Sequence, residues 1–436
     1  MLPEKYLETM KGLLKDEYQN YIDSFNQKSI HSLKINTSKI SVENFLKIFP
    51  YDLEKVPWTS DGFYYTNQEV TKHPYYYAGL YYIQEASAML PAEVLPIEKD
   101  DIVLDACAAP GGKSLKILNK LENTGLLISN DISASRANAL LRNIERFGFE
   151  NYYVISRDLL ELEEKYKNTF DKILLDAPCS GEGMFRKDNT LIKSWLEKGP
   201  DEYSKLQKQL IKACLNMLKD GGQLLYSTCT FSPLEDEEVI KYALENSDIK
   251  LIKIDKYEGF KAGENDIGLK LFPHRIKGEG HFVCLLQKGN KKNKKEVKNN
   301  EIKTNIDFIN NHINKKFNDG NFEKINDNIY YAKKFDVNGI RTLRSGLLLG
   351  KETTHGFEPS QQLALNLKKE EFDKILNLDI DDIRVEKYLK GETIDIDKTL
   401  KNYLLVCVNN YPIGFGKADN GKLKNKIDKG WIKRWD

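Results

Sequence analysis

Apolar runs recur through the middle of the chain, and four of the five end in an aspartate. They occupy positions 102–105, 127–131, 154–158, 173–176 and 224–227. A helix-like stretch follows each of the first four runs. Because the runs show no polar alternation, they are typical of strands buried on both faces of a parallel sheet. The pattern predicts a doubly wound α/β domain, in which ligands bind at the carboxyl ends of the strands.

The first and last residues of one helix in this domain can be predicted from the sequence. Residues 133–147 are amphipathic, and Ser133 is suited to cap the first turn. Gly148 is suited to end the helix. We therefore expect a helix between the second and third strands.

Composition divides the chain into four regions. Residues 1–75 are mixed and rich in aromatic side chains, and residues 76–288 carry the α/β pattern. Residues 289–303 are dominated by lysine and asparagine, which predicts an exposed linker that is either a solvated spacer or a binding segment. Residues 304–436 form a C-terminal region, and we find no internal repeat.

Composition also limits the kind of protein. Hydrophobic residues make up 40% of the chain, and no apolar run approaches the ~20 residues of a membrane helix. The formal net charge of +1 means that any contact with nucleic acid must use local patches. The chain has no apolar signal region, and its six cysteines show no disulfide or metal-ligand spacing. We therefore expect a cytoplasmic monomer with reduced thiols, no metal and no membrane contact.

The first run leads into a loop of small residues. The loop comprises Cys107, Ala108, Ala109, Pro110, Gly111, Gly112 and Lys113. Small residues let backbone amides approach a ligand, and the helix that follows offers its positive N-terminal end. A plain strand-to-helix turn would look similar. A phosphate loop would need glycine at the position of Cys107, so that interpretation fails.

Two carboxylates favour a nucleoside site at this loop. Asp131 ends the second run, where dinucleotide-binding folds hold ribose hydroxyls, and Asp158 ends the third run, near an expected adenine. No G-x-G-x-x-G is present, so NAD is disfavoured and S-adenosylmethionine fits better. Helix capping or a surface ion pair is the alternative role for both carboxylates.

Two cysteines stand out by their position. Cys179 and Cys229 follow the fourth and fifth runs, where they would face the ligand crevice. A thiol is readily activated as a nucleophile near neutral pH. An inert thiol at a strand end is the alternative for Cys229. The cysteines that we interpret as inert packing are Cys214, Cys284 and Cys407.

These motifs resemble the Sun-type RNA cytosine-5 methyltransferases. The matching segments are 82–85, 107–113, 176–181, 227–230, 272–274 and 278–282. The segments occur in the same order as in the family and cover most of the α/β region. Together they indicate this family with high specificity, whereas each segment alone would be a weak signal.

The C-terminal part of the chain resembles one bacterial subgroup, which modifies small-subunit ribosomal RNA, and the N-terminal segment 33–36 resembles the usual segment of the family. Segments 344–350 and 355–360 are similar to that subgroup, and the tail from Gly414 onward resembles its PUA-like module. Lys34 stands where the family commonly has arginine, and Ser114 where it frequently has threonine. Neither departure affects the chemistry.

The resemblance implies a fold and a cofactor. The fold would be a class I methyltransferase, Rossmann-like with a mostly parallel sheet, between a small N-terminal α+β domain and a C-terminal PUA-like RNA-binding region. S-adenosylmethionine would lie against residues 107–113, with Asp131 on its ribose, Asp158 near its adenine and Asp176 also at its edge.

The resemblance also implies roles in covalent catalysis. Cys229 would add to carbon 6 of cytosine, which makes carbon 5 nucleophilic toward the sulfonium methyl group. Cys179 would assist when the carbon 5 proton leaves and the enzyme–RNA bond breaks. Asp176 would hold nitrogen 3 and the exocyclic amine of the ring. Lys113 would face the base or the developing charge, although a solvated lysine at a helix start is equally open.

The target cytosine must leave its stack, so unpaired or loop cytosines are the natural substrates. Candidate stacking side chains, about half of which we expect in the core, are Tyr75, Tyr76, Tyr77, Tyr81, Tyr82 and Phe185. The tail combines bases with aromatics, which suits RNA contact, although a solvated end is the alternative. Its members are Lys422, Lys424, Lys426, Lys429, Trp431, Lys433, Arg434 and Trp435.

The expected partner is 16S ribosomal RNA or the small ribosomal subunit. Transfer RNA is the alternative within the same chemistry. A DNA cytosine methyltransferase is disfavoured, because it would use the cysteine after Pro178, and the second cysteine at 229 sets the RNA pattern. A non-catalytic ribosome-assembly factor would not need Cys229, Cys179 and Asp176 intact. A P-loop ATPase is the remaining alternative, prompted by residues 112–114 and by the apolar run before Asp176.

Overall fold

The structure is a computed structural model that describes residues 2–66, 68–290, 301–302 and 304–432. Its N-terminal part combines helices with an antiparallel sheet in the order β2-β3-β1-β4. The elements are α1 (Glu4–Leu14), α2 (Tyr18–Ser24), β1 (His31–Ile35), α3 (Val42–Ile48), β2 (Glu54–Lys55), β3 (Gly62–Tyr65), α4 (Pro74–Tyr77) and β4 (Tyr81–Ile83). The expected α+β arrangement is therefore present.

The first helix is fixed to the middle of the chain by its apolar face. Tyr6, Met10 and Leu14 are buried at a spacing of four residues, which places them on one side of α1. They pack in one cluster with Phe185 and Trp195 of the middle region. The N-terminal part is thus joined to the α/β domain through an apolar interface.

The middle region contains a ten-stranded sheet with helices on both faces. Its elements are α5 (Leu90–Val94), β5 (Ile102–Asp105), α6 (Gly112–Leu121), β6 (Leu126–Asn130), α7 (Ala134–Phe147), β7 (Tyr152–Ile155), α8 (Leu159–Leu162), β8 (Phe170–Asp176), α9 (Thr190–Met217), β9 (Leu218–Thr228), α10 (Glu237–Asn246), β10 (Ile249–Ile252), β11 (Lys261–Ala262), β12 (Leu269–Leu271) and β13 (His281–Lys288). Strands β9, β8, β5, β6 and β7 are parallel in that order, and β10 to β13 add antiparallel pairs. All five predicted strands form this parallel centre.

The central strands are buried on both faces, which explains their lack of polar alternation. Successive residues of a strand point to opposite faces of the sheet. Accordingly, Val103 and Leu104 of β5 lie in two different apolar clusters, as do Leu127 and Ile128 of β6. The two clusters form the two halves of the core.

The helix predicted over 133–147 is confirmed as α7. The hydroxyl of Ser133 accepts from Arg136 N at 3.4 Å, and Gly148 ends the helix at a φ of 78°. Helix α9 is interrupted at Gly199, which has a φ of 65° and precedes Pro200. No helix in the described ranges is both long and apolar enough to cross a membrane.

In its described residues, the C-terminal region holds two larger sheets, ordered β16-β17-β19-β20 and β21-β23-β24-β25-β22, and a two-stranded sheet of β14 and β15. Its elements are β14 (Glu301–Ile302), α11 (Asp307–His312), β15 (Phe317–Asn318), β16 (Gly320–Ile325), β17 (Asn328–Lys333), β18 (Thr342–Ser345), β19 (Leu347–Thr353), β20 (Gly356–Pro359), α12 (Gln361–Asn366), β21 (Ile375–Leu378), α13 (Ile383–Leu389), β22 (Ile394–Asp395), β23 (Asn402–Val408), β24 (Tyr411–Asp419) and β25 (Lys422–Asn425). Most of the predicted linker, at 291–300 and 303, lies outside the described residues.

One C-terminal strand belongs to the central sheet. Strand β18 pairs antiparallel with β7 at the end of the ten-stranded sheet. Beside this strand, Nη2 of Arg344 lies 3.0 Å from Oε1 of Glu145 on α7. Asn366 Nδ2 donates to the carbonyl of Gly148 at 2.8 Å. The C-terminal region therefore covers a sheet edge that would otherwise expose unpaired backbone groups.

Candidate active site

The carboxyl ends of β8 and β9 bring three of the predicted catalytic residues together. Asp176 ends β8 and is in register with Ser227 of the parallel strand β9. The loop after β8 carries Cys179, and Cys229 directly follows β9. These side chains lie at the edge of the sheet where α/β domains bind ligands.

The two cysteines are in contact. Their Sγ atoms are 3.3 Å apart, and both side chains are half-buried free thiols. The amide of Gly183 donates to the Cys229 carbonyl at 2.9 Å. A Cβ atom on Gly183 would lie 3.0 Å from that oxygen, so glycine permits the close approach of the two loops. The cysteines interpreted as inert are all buried: Cys214, Cys284 and Cys407.

Asp176 is surrounded by groups that favour its ionised form. Lys113 Nζ donates to Oδ2 at 2.6 Å, while Ser227 Oγ donates to Oδ1 at 2.7 Å and His281 Nε2 lies 3.3 Å from Oδ1. Burial opposes the charge, but Lys113 and His281 outweigh it and hold the pKa of Asp176 well below its usual value. Lys113 is largely buried in this pair, so its head is not solvated.

Cys179 is kept as a neutral thiol. Its hydrogen bond with Cys229, and then its burial, raise the pKa of Cys179 well above the usual value for a thiol. Burial likewise raises the pKa of Cys107 in the small-residue loop. Because the thiolate is the nucleophilic form, neither of these two cysteines is poised to attack a ring carbon near neutral pH.

Backbone conformation shapes the small-residue loop. Gly111 has a φ of 111°, in the left-handed region, and a Cβ atom there would lie 2.9 Å from a methyl carbon of Leu140. The amide of Ala108 donates to the Asn130 carbonyl at 2.8 Å, which holds the loop against the end of β6. Helix α6 begins at Gly112, so the positive end of a helix faces the crevice.

The two predicted cofactor carboxylates differ in their surroundings. Asp131 is buried, and its Oδ1 accepts from Ser133 N at 2.9 Å. Its Oδ2 makes no hydrogen bond and lies 3.3 Å from Nη2 of Arg136. Asp158 is half-buried and caps α8 by accepting from Leu160 N at 3.0 Å. Asp158 thus caps a helix, and Asp131 combines a hydrogen bond at Oδ1 with an ion pair at Oδ2, so the alternatives of capping and ion pairing stay open beside the cofactor roles.

Sequence reasoning missed several side chains of the site. His281 and Ser227 contact Asp176, and Glu235 contacts the loop that carries Cys179. Ile132 directly follows Asp131 and is 67% exposed. Signals existed for Ile132, which follows a predicted cofactor residue, and for Ser227 and His281, which lie in the matching segments 227–230 and 278–282. The role of Glu235 depends on contacts between distant loops, which the sequence does not show.

The aromatic candidates for RNA stacking divide as expected. The buried half comprises Tyr75, Tyr81 and Phe185. The half-buried ones are Tyr76, Tyr77 and Tyr82. The guanidinium carbon of Arg146 lies 4.5 Å from the ring centroid of Tyr76 and 5.9 Å from that of Trp431. Arg146 thus links the N-terminal part to the C-terminal tail across the end of α7.

The basic tail is partly neutralised by acidic side chains. Lys422 forms an ion pair with Asp395, and Lys426 with Glu358. Three further tail residues that we predicted to contact RNA lie outside the described residues: Lys433, Arg434 and Trp435.

Family models match nearly the whole length of the chain. The model described as 16S rRNA methyltransferase RsmB/F matches residues 92–287, and the N-terminal domain of 16S rRNA methyltransferase RsmF matches 2–86. The RsmF rRNA methyltransferase first C-terminal domain matches 307–367, and the methyltransferase RsmF PUA domain matches 375–433. Two models thus match within the region that we predicted as 304–436.

A full-length relative decides the family. Ribosomal RNA small subunit methyltransferase F of Vibrio vulnificus is 30% identical over 464 residues, which cover 99% of this chain and 98% of that protein. The chain belongs to the 16S rRNA methyltransferase RsmB/F family. A second RsmF relative, from Erwinia tasmaniensis, is 36% identical over 303 residues. That match covers 66% of this chain and 63% of the relative, which is less than two thirds of its length.

Solved structures support the fold of this RsmB/F family member. A methyltransferase homolog protein from Pyrococcus horikoshii is 31% identical, with a TM-score of 0.57 over 64% of this chain and 93% of that one. NSun6 from Pyrococcus horikoshii, solved with SFG, shares the fold at 24% identity, with a TM-score of 0.58 over 66% of this chain and 98% of that one. The predicted fold class is confirmed: a methyltransferase domain between an N-terminal domain and a C-terminal PUA domain. The exact domain boundaries stay a prediction.

Proposed function

We propose that this chain transfers a methyl group from S-adenosylmethionine to carbon 5 of a cytosine in 16S ribosomal RNA. The observation that carries the proposal is the pair of free thiols, Cys179 and Cys229, 3.3 Å apart beside the ionised Asp176. A non-catalytic assembly factor would have no need of this constellation. Ribosomal RNA is favoured over transfer RNA because the curated relatives are named for the small ribosomal subunit.

The residues of the crevice fit S-adenosylmethionine, which supplies the methyl group when bound. The small side chains of 107–113 let the backbone of the loop approach the cofactor, and Asp131 Oδ2, which pairs with Arg136 and makes no hydrogen bond, accepts from a ribose hydroxyl in this proposal. The exposed Ile132 offers an apolar surface for adenine, with Asp158 nearby along the sheet edge. Asp176 borders the same crevice at the end of β8.

Cys229 acts as the nucleophile in this proposal. Cys229 gives up its thiol proton to solvent, its sulfur bonds to carbon 6 of the flipped-out cytosine, and electrons shift toward nitrogen 3, so that the ring becomes an enamine. Carbon 5 takes up the methyl group as the bond between that group and the donor sulfonium breaks. A water molecule then takes the carbon 5 proton, the electron pair of that bond restores the carbon 5–carbon 6 double bond, and Cys229 leaves carbon 6 as a thiolate. Cys179, whose sulfur is 3.3 Å away, is placed to assist this elimination.

Asp176 and Lys113 orient and polarise the base. An ionised Asp176 accepts a hydrogen bond from the exocyclic amine of cytosine. Lys113, 2.6 Å from the carboxylate, places a positive charge beside nitrogen 3, where negative charge develops as sulfur adds. The pair thus stabilises the addition step more than the ground state, which is the requirement for catalysis.

A methyl-transfer assay with separated RNA substrates tests the proposal. Purified protein and labelled S-adenosylmethionine are incubated with 16S ribosomal RNA, small ribosomal subunits or transfer RNA, with Cys229→Ala as the control. We expect label in ribosomal RNA, and none with the variant. Label only in transfer RNA would overturn the substrate assignment. Bisulfite mapping of RNA from cells lacking the protein should show the loss of at least one methylated cytosine, and loss of none would overturn the enzymatic assignment.

We also propose that the protein works in the cytoplasm, because its ribosomal substrate is assembled there. We further propose that it is a monomer. Light scattering during gel filtration should give the mass of one chain. A mass of two chains would contradict this part of the proposal.

A further inference from the structure

Glu235 is a fully buried carboxylate that binds the loop carrying Cys179. Its Oε2 accepts from the amide of Ser180 at 2.9 Å, and its Oε1 accepts from the hydroxyl of the same residue. Gln207 of α9 donates to Glu235 Oε2 at 3.0 Å and to the carbonyl of Pro178 at 2.9 Å. Both chain neighbours of Cys179 are therefore held by one connected set of hydrogen bonds.

The same set reaches the loop that carries Cys229. The hydroxyls of Ser180 and Thr230 are 2.9 Å apart, and Thr230 directly follows Cys229. Glu235 is fixed in turn by its own backbone, because Tyr226 OH donates to its carbonyl at 2.6 Å. The carboxylate thus lies behind both cysteine loops and touches neither sulfur.

We propose that Glu235 is a positioning residue that fixes Cys179 against Cys229, and that it is needed for release of methylated RNA more than for methyl transfer. The proposal rests on the proposed function, in which Cys179 assists the breakage of the bond between Cys229 and carbon 6. A displacement of about 1 Å at a reacting group can cost roughly 100-fold in rate. Loss of Glu235 would free the Cys179 loop, whereas the Cys229 carbonyl would keep its hydrogen bond from the amide of Gly183.

The hydrogen-bond pattern gives a conservative variant. In Glu235→Gln, the amide oxygen can accept from Ser180 N and Gln207, and the amide nitrogen can donate to the hydroxyl of Ser180. Burial raises the pKa of Glu235 to about 7, so a neutral side chain is close to the native state. Glu235→Ala removes every one of these partners. A matched control is Glu238→Ala, whose exposed carboxylate pairs with Lys241 on the surface.

The first measurement is geometric and does not depend on activity. Diamide takes up two electrons and two protons as two neighbouring thiols join, and peptide mapping then quantifies the Cys179–Cys229 disulfide. We expect Glu235→Ala to form it roughly 10-fold more slowly than the wild type, with Glu235→Gln and Glu238→Ala unchanged. Equal rates in Glu235→Ala and the wild type would overturn the positioning role.

The second measurement follows the covalent intermediate with 16S ribosomal RNA and S-adenosylmethionine. Glu235→Ala should accumulate a denaturation-resistant protein–RNA adduct and lose steady-state turnover by roughly 10-fold to 100-fold, with single-turnover methyl transfer little changed. If Glu235→Ala lost steady-state turnover and single-turnover methyl transfer equally and formed no adduct, the role of Glu235 would be merely structural, and the proposal would be overturned. If Glu235→Ala does not fold, Ser180→Ala replaces it in both experiments, and its disulfide rate and adduct accumulation test the positioning role in the same way. If the wild type methylates no RNA, the proposed function fails, and the disulfide rates still decide the positioning role.

Discussion

Asp176 is a half-buried, ionised carboxylate, and Lys113, His281 and Ser227 hold it in that state. A charge fixed in advance near the reacting ring needs no reorganisation during the reaction. Removing it by Asp176→Asn should lower kcat by roughly 100-fold to 1,000-fold. The affinity for S-adenosylmethionine, measured by calorimetry, should fall by much less than kcat, because Asp176 only borders the crevice of the cofactor. A variant with wild-type kcat would show that Asp176 does not act on the base.

The sequence predicted the aspartates of this site better than their partners. Asp131 and Asp176 end apolar runs, and a parallel sheet brings such ends to one edge. Asp176 lies 105 residues before His281, and only the antiparallel addition of β13 to β9 joins them. No local periodicity signals that pairing.

The acidic run at 235–238 shows a second limit of sequence reasoning. Such a run usually indicates a solvated surface, yet the structure buries its first three members. Lys270 Nζ lies 3.1 Å from Asp236 and 2.9 Å from Glu237, so a distant cation compensates their charge. The partner lies on β12, an antiparallel strand that the apolar pattern did not reveal.

At the scale of elements, the parallel strands could be predicted because each is buried on both faces. Strand β18 could not, since its four residues are all half-buried and its sequence, Thr-Leu-Arg-Ser, shows no strong pattern. Its place beside β7 depends on contacts made by the rest of the C-terminal region. The predicted site residues end or follow the well-patterned strands, which is why the sequence alone could place them at one edge of the sheet.

The attachment of β18 gives a prediction about stability. Arg344 is largely buried beside Glu145, and burial raises the pKa of Glu145 while Arg344 lowers it. Arg344→Ala would leave a buried carboxylate without its cation, which should lower the free energy of unfolding by about 3 kcal/mol. Urea unfolding at pH 7 measures the change.

A matched control is Lys351→Ala, whose exposed ion pair with Glu358 should contribute less than about 1 kcal/mol. Equal destabilisation by the two substitutions would contradict a special role for the β18 contact.

At the scale of the whole molecule, Glu17 joins the N-terminal part to the α/β domain. Its carboxylate contacts His274 at 3.1 Å, Lys261 at 3.4 Å and Arg275. The hydrogen bond from Arg275 lowers the pKa of Glu17 to about 2, against the opposing effect of burial. A carboxyl whose pKa is lowered on folding stabilises the fold above its unfolded pKa, and that contribution disappears as the pH falls through its folded pKa.

Glu17→Gln should therefore lower the free energy of unfolding at pH 7 by about 1–2 kcal/mol, since partial exposure weakens the pairs. The difference from the wild type should shrink between about pH 4.5 and pH 2. Urea unfolding across this range measures it, with the exposed Glu202→Gln as the control. A difference that stays constant with pH would contradict the ion-pair account.

For the whole molecule, the sequence predicted the order of the domains but not the contacts between them. The order of N-terminal domain, methyltransferase domain and PUA domain follows from motifs spread over the chain. The burial of Tyr6 against Phe185 and the stacking of Arg146 on Tyr76 require three-dimensional contact between segments with no shared pattern. Sequence reasoning could therefore name the parts but not how they pack.

The central claim is that the sulfur of Cys229 bonds to a cytosine in ribosomal RNA. Its most direct test is to incubate Cys179→Ala with 16S ribosomal RNA and S-adenosylmethionine, denature and digest the product, and locate the attached nucleotide by mass spectrometry. We predict a methylated cytidine on the peptide that contains Cys229, and no adduct from Cys229→Ala. An adduct formed by Cys229→Ala and absent from Cys179→Ala would contradict the claim and exchange the roles of the two cysteines.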